Sequence, residues 1–163
     1  MDNKQIVTPF ISADHQHSKC LKSAIDRAED SCSSSGLRLT PLRRRVLELV
    51  WKNHEPVKAY DILGILQSEK KGAAPPTVYR ALDFLQLQGF VHKLESLNAY
   101  IGCGAPGHSS TTQFLICHKC GVVAELDDAE IGEVISSKAG LLGFIPKRLT
   151  IEINGLCTQC RDT

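Results

Sequence analysis

The sequence predicts an α+β fold in two successive domains, the first helical and the second strand-rich. Three observations carry that expectation. Between residues 18 and 88, apolar residues recur every three to four positions in four separate stretches, the spacing of helices with one buried face. From residue 91 onward, short strand-like runs broken by turn formers take over. Four of the seven cysteines form two Cys-x-x-Cys pairs, Cys117/Cys120 and Cys157/Cys160, both in the second half.

Composition bounds the possibilities. A chain of 163 residues has core enough for one domain or two small ones. Its 42% hydrophobic and 23% charged content fits a soluble globular protein. The longest apolar runs, Phe114 to Cys117 and Leu141 to Ile145, are too short to cross a bilayer. The N-terminus has neither the basic start nor the apolar stretch of a signal peptide, so a cytoplasmic location is expected. Thiols stay reduced there, and paired cysteines more often bind metal than form disulfides. Net charge is only +1, but it is unevenly spread. Gly36 to Glu95 carries 10 Lys/Arg against 6 Asp/Glu, and Ser96 to Thr163 carries 5 against 7. A basic half followed by an acidic, cysteine-rich half suggests two domains with different partners.

The elements follow in order. Residues 1–17 show no periodicity and are expected to form a mobile tail, near which His15, His17 and Cys20 read as incidental rather than metal-binding. Residues 18–33 fit a helix with Cys20, Leu21, Ala24, Ile25, Ala28 and Cys32 on one face. Thr40-Pro41 is an N-cap followed by proline at the first helical position, and Val46, Leu47 and Val50 give the stripe of the helix it opens. A third helix fits Ala59 to Ser68, and Lys70-Lys71-Gly72 ends it. Pro75-Pro76-Thr77 opens a fourth, in which Val78, Ala81, Leu82 and Leu85 face inward, and Gly89 stops it. Val91 to Leu94 and Ala99 to Ile101 then make two short strands around a polar turn.

Helices followed by a small hairpin make the order of a winged helix-turn-helix, assigned to residues 18–96. Its fourth helix, in the recognition position, carries Thr77, Tyr79 and Arg80 off the apolar stripe and close to its N-terminus. That end of a recognition helix reaches base edges in the major groove of double-stranded DNA. Arginine bonds guanine bidentately, and a tyrosine ring packs on a thymine methyl or bonds a phosphate. Arg80 and Tyr79 are the candidates for base readout, and Thr77, Lys58, Tyr60 and the run Arg43-Arg44-Arg45 those for phosphate contacts. The alternative is that these are ordinary exposed residues.

Residues 97–163 are assigned to a small α/β domain. Phe114 to Ala124 reads as strand, tight turn and strand, with Cys117 and Cys120 aiming both sulfurs at one point and Gly121 free to turn left-handed. Cys157 and Cys160 repeat the device after the strand-like run Arg148 to Ile153. Four thiolates complete a tetrahedral zinc shell with no position left for water or substrate, which makes the site structural. The competing readings are two disulfides or a redox dithiol. A redox Cys-x-x-Cys normally opens a helix, whereas Val122 to Ala124 continues as strand. Asp127 to Ala139 fits a helix with Ile131, Val134 and Ile135 inward. Pairing between two copies is a natural way to cover the sheet edges such a domain presents, which makes a homodimer physically plausible though not derivable from the residues.

The motifs now assemble into a resemblance over residues 18–163. Leu39-Thr40-Pro41 with a downstream arginine, Pro76-Thr77-Val78-Tyr79-Arg80-Ala81-Leu82, Gly89-Phe90-Val91 and the paired Cys-x-x-Cys motifs resemble the ferric-uptake-regulator (Fur) family of metal-sensing repressors. Within it, the stretches PPTVYRALDFL and GFVHK and the cysteine of NAYIGC are most similar to the zinc-uptake regulators (Zur). The resemblance implies a C-terminal dimerisation domain, a pseudo-palindromic operator and a second, regulatory zinc per chain held by His92, Cys103, His108 and Glu125. It implies repression of zinc-uptake genes when zinc is plentiful, without enzymatic activity or a small-molecule substrate. A thiolate among the ligands disfavours hard cations such as manganese or magnesium. One departure stands out: Ser109-Ser110-Thr111-Thr112 lies where iron-sensing members carry a histidine-rich cluster. Sensing of iron, manganese or nickel is the nearer alternative; a thiol–disulfide enzyme and a zinc-stabilised interaction module without DNA binding are the more distant ones.

Overall fold

The structure, a computed structural model, describes residues 6–10, 17–52, 55–69, 73–105 and 111–161, His17 by its backbone alone. In chain order the elements are β1 (Ile6–Thr8), α1 (His17–Ser34), α2 (Pro41–Val50), α3 (Ala59–Glu69), α4 (Pro75–Leu87), β2 (Val91–Leu94), β3 (Ala99–Gly102), β4 (Thr111–Cys117), β5 (Val123–Leu126), α5 (Ala129–Gly140), β6 (Leu149–Gly155) and α6 (Thr158–Arg161). The chain divides into two compact units, Ser12–Pro106 and Gly107–Thr163 with Met1–Ile11. Pairing explains why the division falls past residue 96. β3 is antiparallel to β2, Val91 facing Gly102 and Leu94 facing Ala99, so β3 and the residues after it stay with the helices.

In the helical unit, each boundary has a local cause. Thr40 Oγ1 accepts the Arg43 N–H at 3.4 Å, with Pro41 at the first helical position. α4 ends where Gly89 takes a φ of +74° and the Phe90 N–H returns to the Leu85 carbonyl at 2.9 Å. Val46, Leu47, Ile62, Val78, Leu82 and Leu85 form the centre of the core, joined by Ala24, Ile25, Ala28 and Cys32 from α1. Fully burying each such aliphatic side chain stabilises the fold by about 1.5–3 kcal/mol. The Arg43 guanidinium lies 3.5 Å over the Phe84 ring and ties α2 to α4. The wing hairpin is anchored by Val57, which exchanges two backbone hydrogen bonds of 2.8 Å with Tyr100.

The other unit is a four-stranded sheet in the order β1-β5-β4-β6. Its centre, β4, is antiparallel to β5 and parallel to β6. A parallel neighbour needs a crossover, and α5 supplies it. Gln113 on β4 is fully buried because it clamps the start of that helix: its Oε1 accepts the Asp128 N–H at 2.9 Å, and its Nε2 donates to the Asp128 carbonyl at 3.3 Å. The Asp128 carboxylate in turn accepts the Glu130 N–H at 2.9 Å.

Three expectations fail here. Within the 1–17 segment read as a mobile tail, Ile6–Thr8 is a strand on the edge of β5, with Ile6 opposite Leu126 and Thr8 opposite Glu125. A three-residue strand has no period to read; the exposed edge of β5 creates it. Phe10 continues from it and lines an apolar cleft with Leu115, Ile153 and Leu156. Val134, expected inward, is 60% exposed, and Leu141, Leu142, Phe144 and Ile145 beyond α5 are exposed as well. Finally, Thr158–Arg161 is one turn of helix rather than a simple turn.

Candidate metal centres and nucleic-acid interface

The parallel β4–β6 ladder builds the cysteine cluster. Its register runs from Thr111 opposite Leu149 to Cys117 opposite Gly155, so both strands end at one level and each delivers a Cys-x-x-Cys there. At the first, the Gly121 N–H bonds the Cys117 carbonyl at 2.8 Å, with Gly121 at φ +77°, and the Cys117 N–H bonds Val122 at 3.0 Å. At the second, α6 begins, and the Cys160 N–H bonds the Cys157 carbonyl at 3.0 Å. The four sulfurs lie within 4.8 Å of one another, and those of Cys120 and Cys157 are 3.7 Å apart. Tetrahedral Zn–S bonds of about 2.3 Å place two sulfurs about 3.8 Å apart, whereas a disulfide needs about 2.05 Å. No disulfide joins any of the cysteines. The cluster therefore has the dimensions of a closed zinc shell.

Its electrostatics point the same way. The N–H groups of Cys157 and Cys120 hold the Cys117 thiol down to about 5. Burial, then the surrounding sulfurs, pushes Cys160 up to about 12. The Val122 amide lowers Cys120, but the Cys117 sulfur and burial outweigh it and move Cys120 upward. Without a cation the cluster thus opposes full ionisation, because each further thiolate adds like charge. A divalent ion removes that opposition. With zinc bound, all four sulfurs are ligands and should resist iodoacetamide. After chelation the cluster opens, and all four should alkylate at rates that rise about tenfold per pH unit below the free-thiol range. Quenched labelling with peptide mapping reads these rates, and full labelling of any of the four with zinc still bound contradicts the assignment.

Within the helical unit lies a second donor pair. His92 is on β2, and Cys103 follows β3, its N–H bonded to the Phe90 carbonyl at 3.0 Å. An imidazole nitrogen and the thiol sulfur come within 4.8 Å, and both residues are buried. Imidazole with thiolate is a donor set suited to zinc. Glu125 lies on β5 of the other unit, opposite Phe114 and only 3% exposed. His108 is outside the described residues, as are His15, Lys70 and Lys71.

The recognition helix α4 buries Val78, Ala81, Leu82 and Leu85 and leaves Thr77, Tyr79 and Arg80 exposed near its start. Lys58 is exposed just ahead of α3, and Tyr60 on the first turn of α3 is 80% exposed. The Arg43-Arg44-Arg45 run is engaged internally. Arg43 Nη1 donates to the Arg38 carbonyl at 2.7 Å while the guanidinium covers Phe84. Arg44 pairs with Glu29 of α1 and with Glu48. Arg45 bonds Glu69 of α3 at 3.0 Å and Glu48 at 2.9 Å, which raises its pKa further. Only Glu48 was near enough in sequence to be foreseen as a partner, since Glu29 and Glu69 come from other helices. Gln113 also escaped sequence reasoning, because its partner depends on how α5 docks.

Residues 34–154 match the ferric uptake regulator family. The chain belongs to that family. Among the relatives of this Fur-family chain, the zinc uptake regulation protein of Escherichia coli (strain K12) is 42% identical over 137 residues, which is 82% of this chain and 79% of that protein. A zinc uptake regulator complexed with zinc and DNA superposes with a TM-score of 0.82 at 38% identity, covering 87% of this chain and 95% of that one. Holo XcZur superposes with a TM-score of 0.80 at 44% identity, covering 86% and 99%. The helical unit is thus the winged helix-turn-helix of the Fur-family fold. The family is one of regulators, not enzymes, which removes the thiol–disulfide reading of the Cys-x-x-Cys pairs. No described helix is long and apolar enough to cross a membrane.

Proposed function

We propose that this chain is a zinc-responsive, sequence-specific DNA-binding regulator that represses zinc-uptake genes when zinc is plentiful. The observation that carries the reading is the pairing of His92 with Cys103 on the wing of a DNA-binding fold, in a chain 42% identical to a zinc uptake regulation protein. Two zinc ions per chain fit the donors. Cys117, Cys120, Cys157 and Cys160 hold the structural one, whose closed shell keeps it too tightly bound to report on supply. His92, Cys103, His108 and Glu125 hold the regulatory one, a ligand set drawn from both halves of the chain. Its thiolate and imidazole favour zinc over hard manganese.

The protein works as a homodimer on a pseudo-palindromic operator. The exposed Leu141, Leu142, Phe144 and Ile145, with the outer edge of β6, are apolar and hydrogen-bonding surface that a second copy covers. The dimer presents two copies of α4 to successive major-groove half-sites. Arg80 and Tyr79 read bases, while Thr77, Tyr60 and Lys58 hold phosphates. Arg43, Arg44 and Arg45, already paired with protein groups, chiefly hold α2 against its neighbours. His92 and Cys103 act by population shift, favouring the DNA-competent state when metal-loaded. Moving that state from rare to dominant takes about 5 kcal/mol of differential zinc binding.

Fluorescence anisotropy on DNA selected from random sequence, at buffered free zinc, iron, manganese and nickel, tests the reading. Tight binding should appear with zinc at the lowest free concentration. Equal or better response to another metal sinks zinc specificity, and no binding under any metal sinks the regulator. Arg80→Ala should cost about 1–3 kcal/mol at one base position of that DNA and leave the others unchanged. Uniform weakening across base variants shows Arg80 to be a phosphate contact.

A further inference from the structure

Trp51 and Gly102 make a contact that neither the ligand sets nor the DNA contacts explain. Trp51 closes the C-terminal end of α2, its backbone N–H bonded to the Leu47 carbonyl at 3.0 Å, and its side chain is buried. Gly102, the last residue of β3, lies so close beneath the indole that a methyl there would sit 2.2 Å from Cε2, 2.4 Å from Nε1 and 2.7 Å from Cδ2. Carbon atoms pack at about 3.5–4.0 Å, so glycine alone fits while the indole stays. The next residue is Cys103, held on its other side by the bond to the Phe90 carbonyl and lying with its sulfur within 4.8 Å of a His92 nitrogen.

We infer that Trp51, seated on Gly102, is a positioning residue that sets where Cys103 presents its sulfur and couples that sulfur to α2. The inference rests on the proposed role of His92 and Cys103 as ligands of a second zinc. One peptide unit separates the indole's seat from the ligand, so a shift of the seat reaches the sulfur almost undiminished. Metal–ligand distances tolerate only about 0.2 Å, and loss of an outer-shell support typically costs 10–100-fold in metal affinity. The coupling also runs outward. Trp51 ends the helix whose Arg43 stacks on Phe84 of the recognition helix, so a pull on Cys103 reaches α4 through packed groups.

Trp51 is the sole tryptophan, so tryptophan emission reports on the surroundings of this one indole. The test uses the full-length protein carrying its first zinc, titrated with zinc against a chromophoric chelator while tryptophan emission is followed. In the wild type, emission should change and saturate at the free zinc that fills the second site; emission unchanged through saturation overturns the inference. Gly102→Ala should weaken the second zinc by about 10–100-fold and retain the first, and adding Trp51→Leu, which makes room for the methyl, should restore part of that loss, at least about threefold. Wild-type affinity in Gly102→Ala, or a double variant no better than the single one, refutes the positioning role. If Gly102→Ala does not fold, Trp51→Leu alone decides, because it adds no atom: second-site affinity must fall at least about threefold, and unchanged affinity overturns the inference. A wild-type protein that takes up no second zinc is a different result, since it removes the second site itself and the inference with it.

Discussion

Replacing Cys117 by serine is expected to strip the protein of its structural zinc and unfold the strand-rich unit. The magnitudes decide this. A structural zinc site contributes apparent binding free energy of about 10–16 kcal/mol, as much as or more than the roughly 5–15 kcal/mol by which whole domains are stable. The unit's own core is small, centred on Phe114, Ile116, Val123 and Ala124. Small domains of this kind depend on a metal or other staple. Serine keeps the size of the side chain but removes the thiolate that the Cys157 and Cys120 amides stabilise most. Metal analysis should find the site empty, and hydrogen exchange should show β4, β5 and β6 unprotected. The helical unit, with its separate core, should keep a cooperative thermal transition. A Cys117→Ser protein with full zinc content and an unchanged melting profile refutes the staple.

The second large effect is expected at Cys103. Cys103→Ser should leave the structural zinc and the melting of both units nearly intact, yet abolish the zinc response of DNA binding. A thiolate contributes strongly to zinc binding, whereas a serine hydroxyl is a poor ligand at neutral pH. If the full switch is worth about 10⁴ in equilibrium, losing this ligand should lower operator affinity in saturating zinc by at least about 100-fold, toward the metal-free level. Anisotropy with and without zinc, beside metal stoichiometry on the same sample, measures it. Unaltered affinity and zinc response place the sensing site elsewhere. A variant that loses both zinc ions shows instead that the two sites are not energetically separate.

The two variants also separate what was readable in advance from what was not. The Cys-x-x-Cys at Cys117 and Cys120 announces itself by spacing, and Gly121 takes the left-handed turn expected beside it. That Cys157 and Cys160 meet the same point depends on a seven-residue parallel ladder between strands separated by a helix, a register no local pattern encodes. Likewise Arg43, Arg44 and Arg45 read as a basic patch for phosphates. Two of their partner carboxylates, Glu29 and Glu69, lie 15 and 24 residues away in sequence and become neighbours only when the helices pack.

The sequence by itself determined helices α1 to α5, the Thr40 cap of α2, the wing hairpin and the knuckle at Cys117 and Cys120, because periodicity, proline and glycine act within a few residues. The tertiary structure alone decided the strand at Ile6–Thr8, the outward face of Val134, the clamp of Gln113 on α5 and the seat of Trp51 on Gly102. Each of these depends on a partner far along the chain: an unpaired sheet edge, the docking of a helix, or the space left by a missing side chain. Such partners have no period to read, and only the packed fold brings them within a few ångströms.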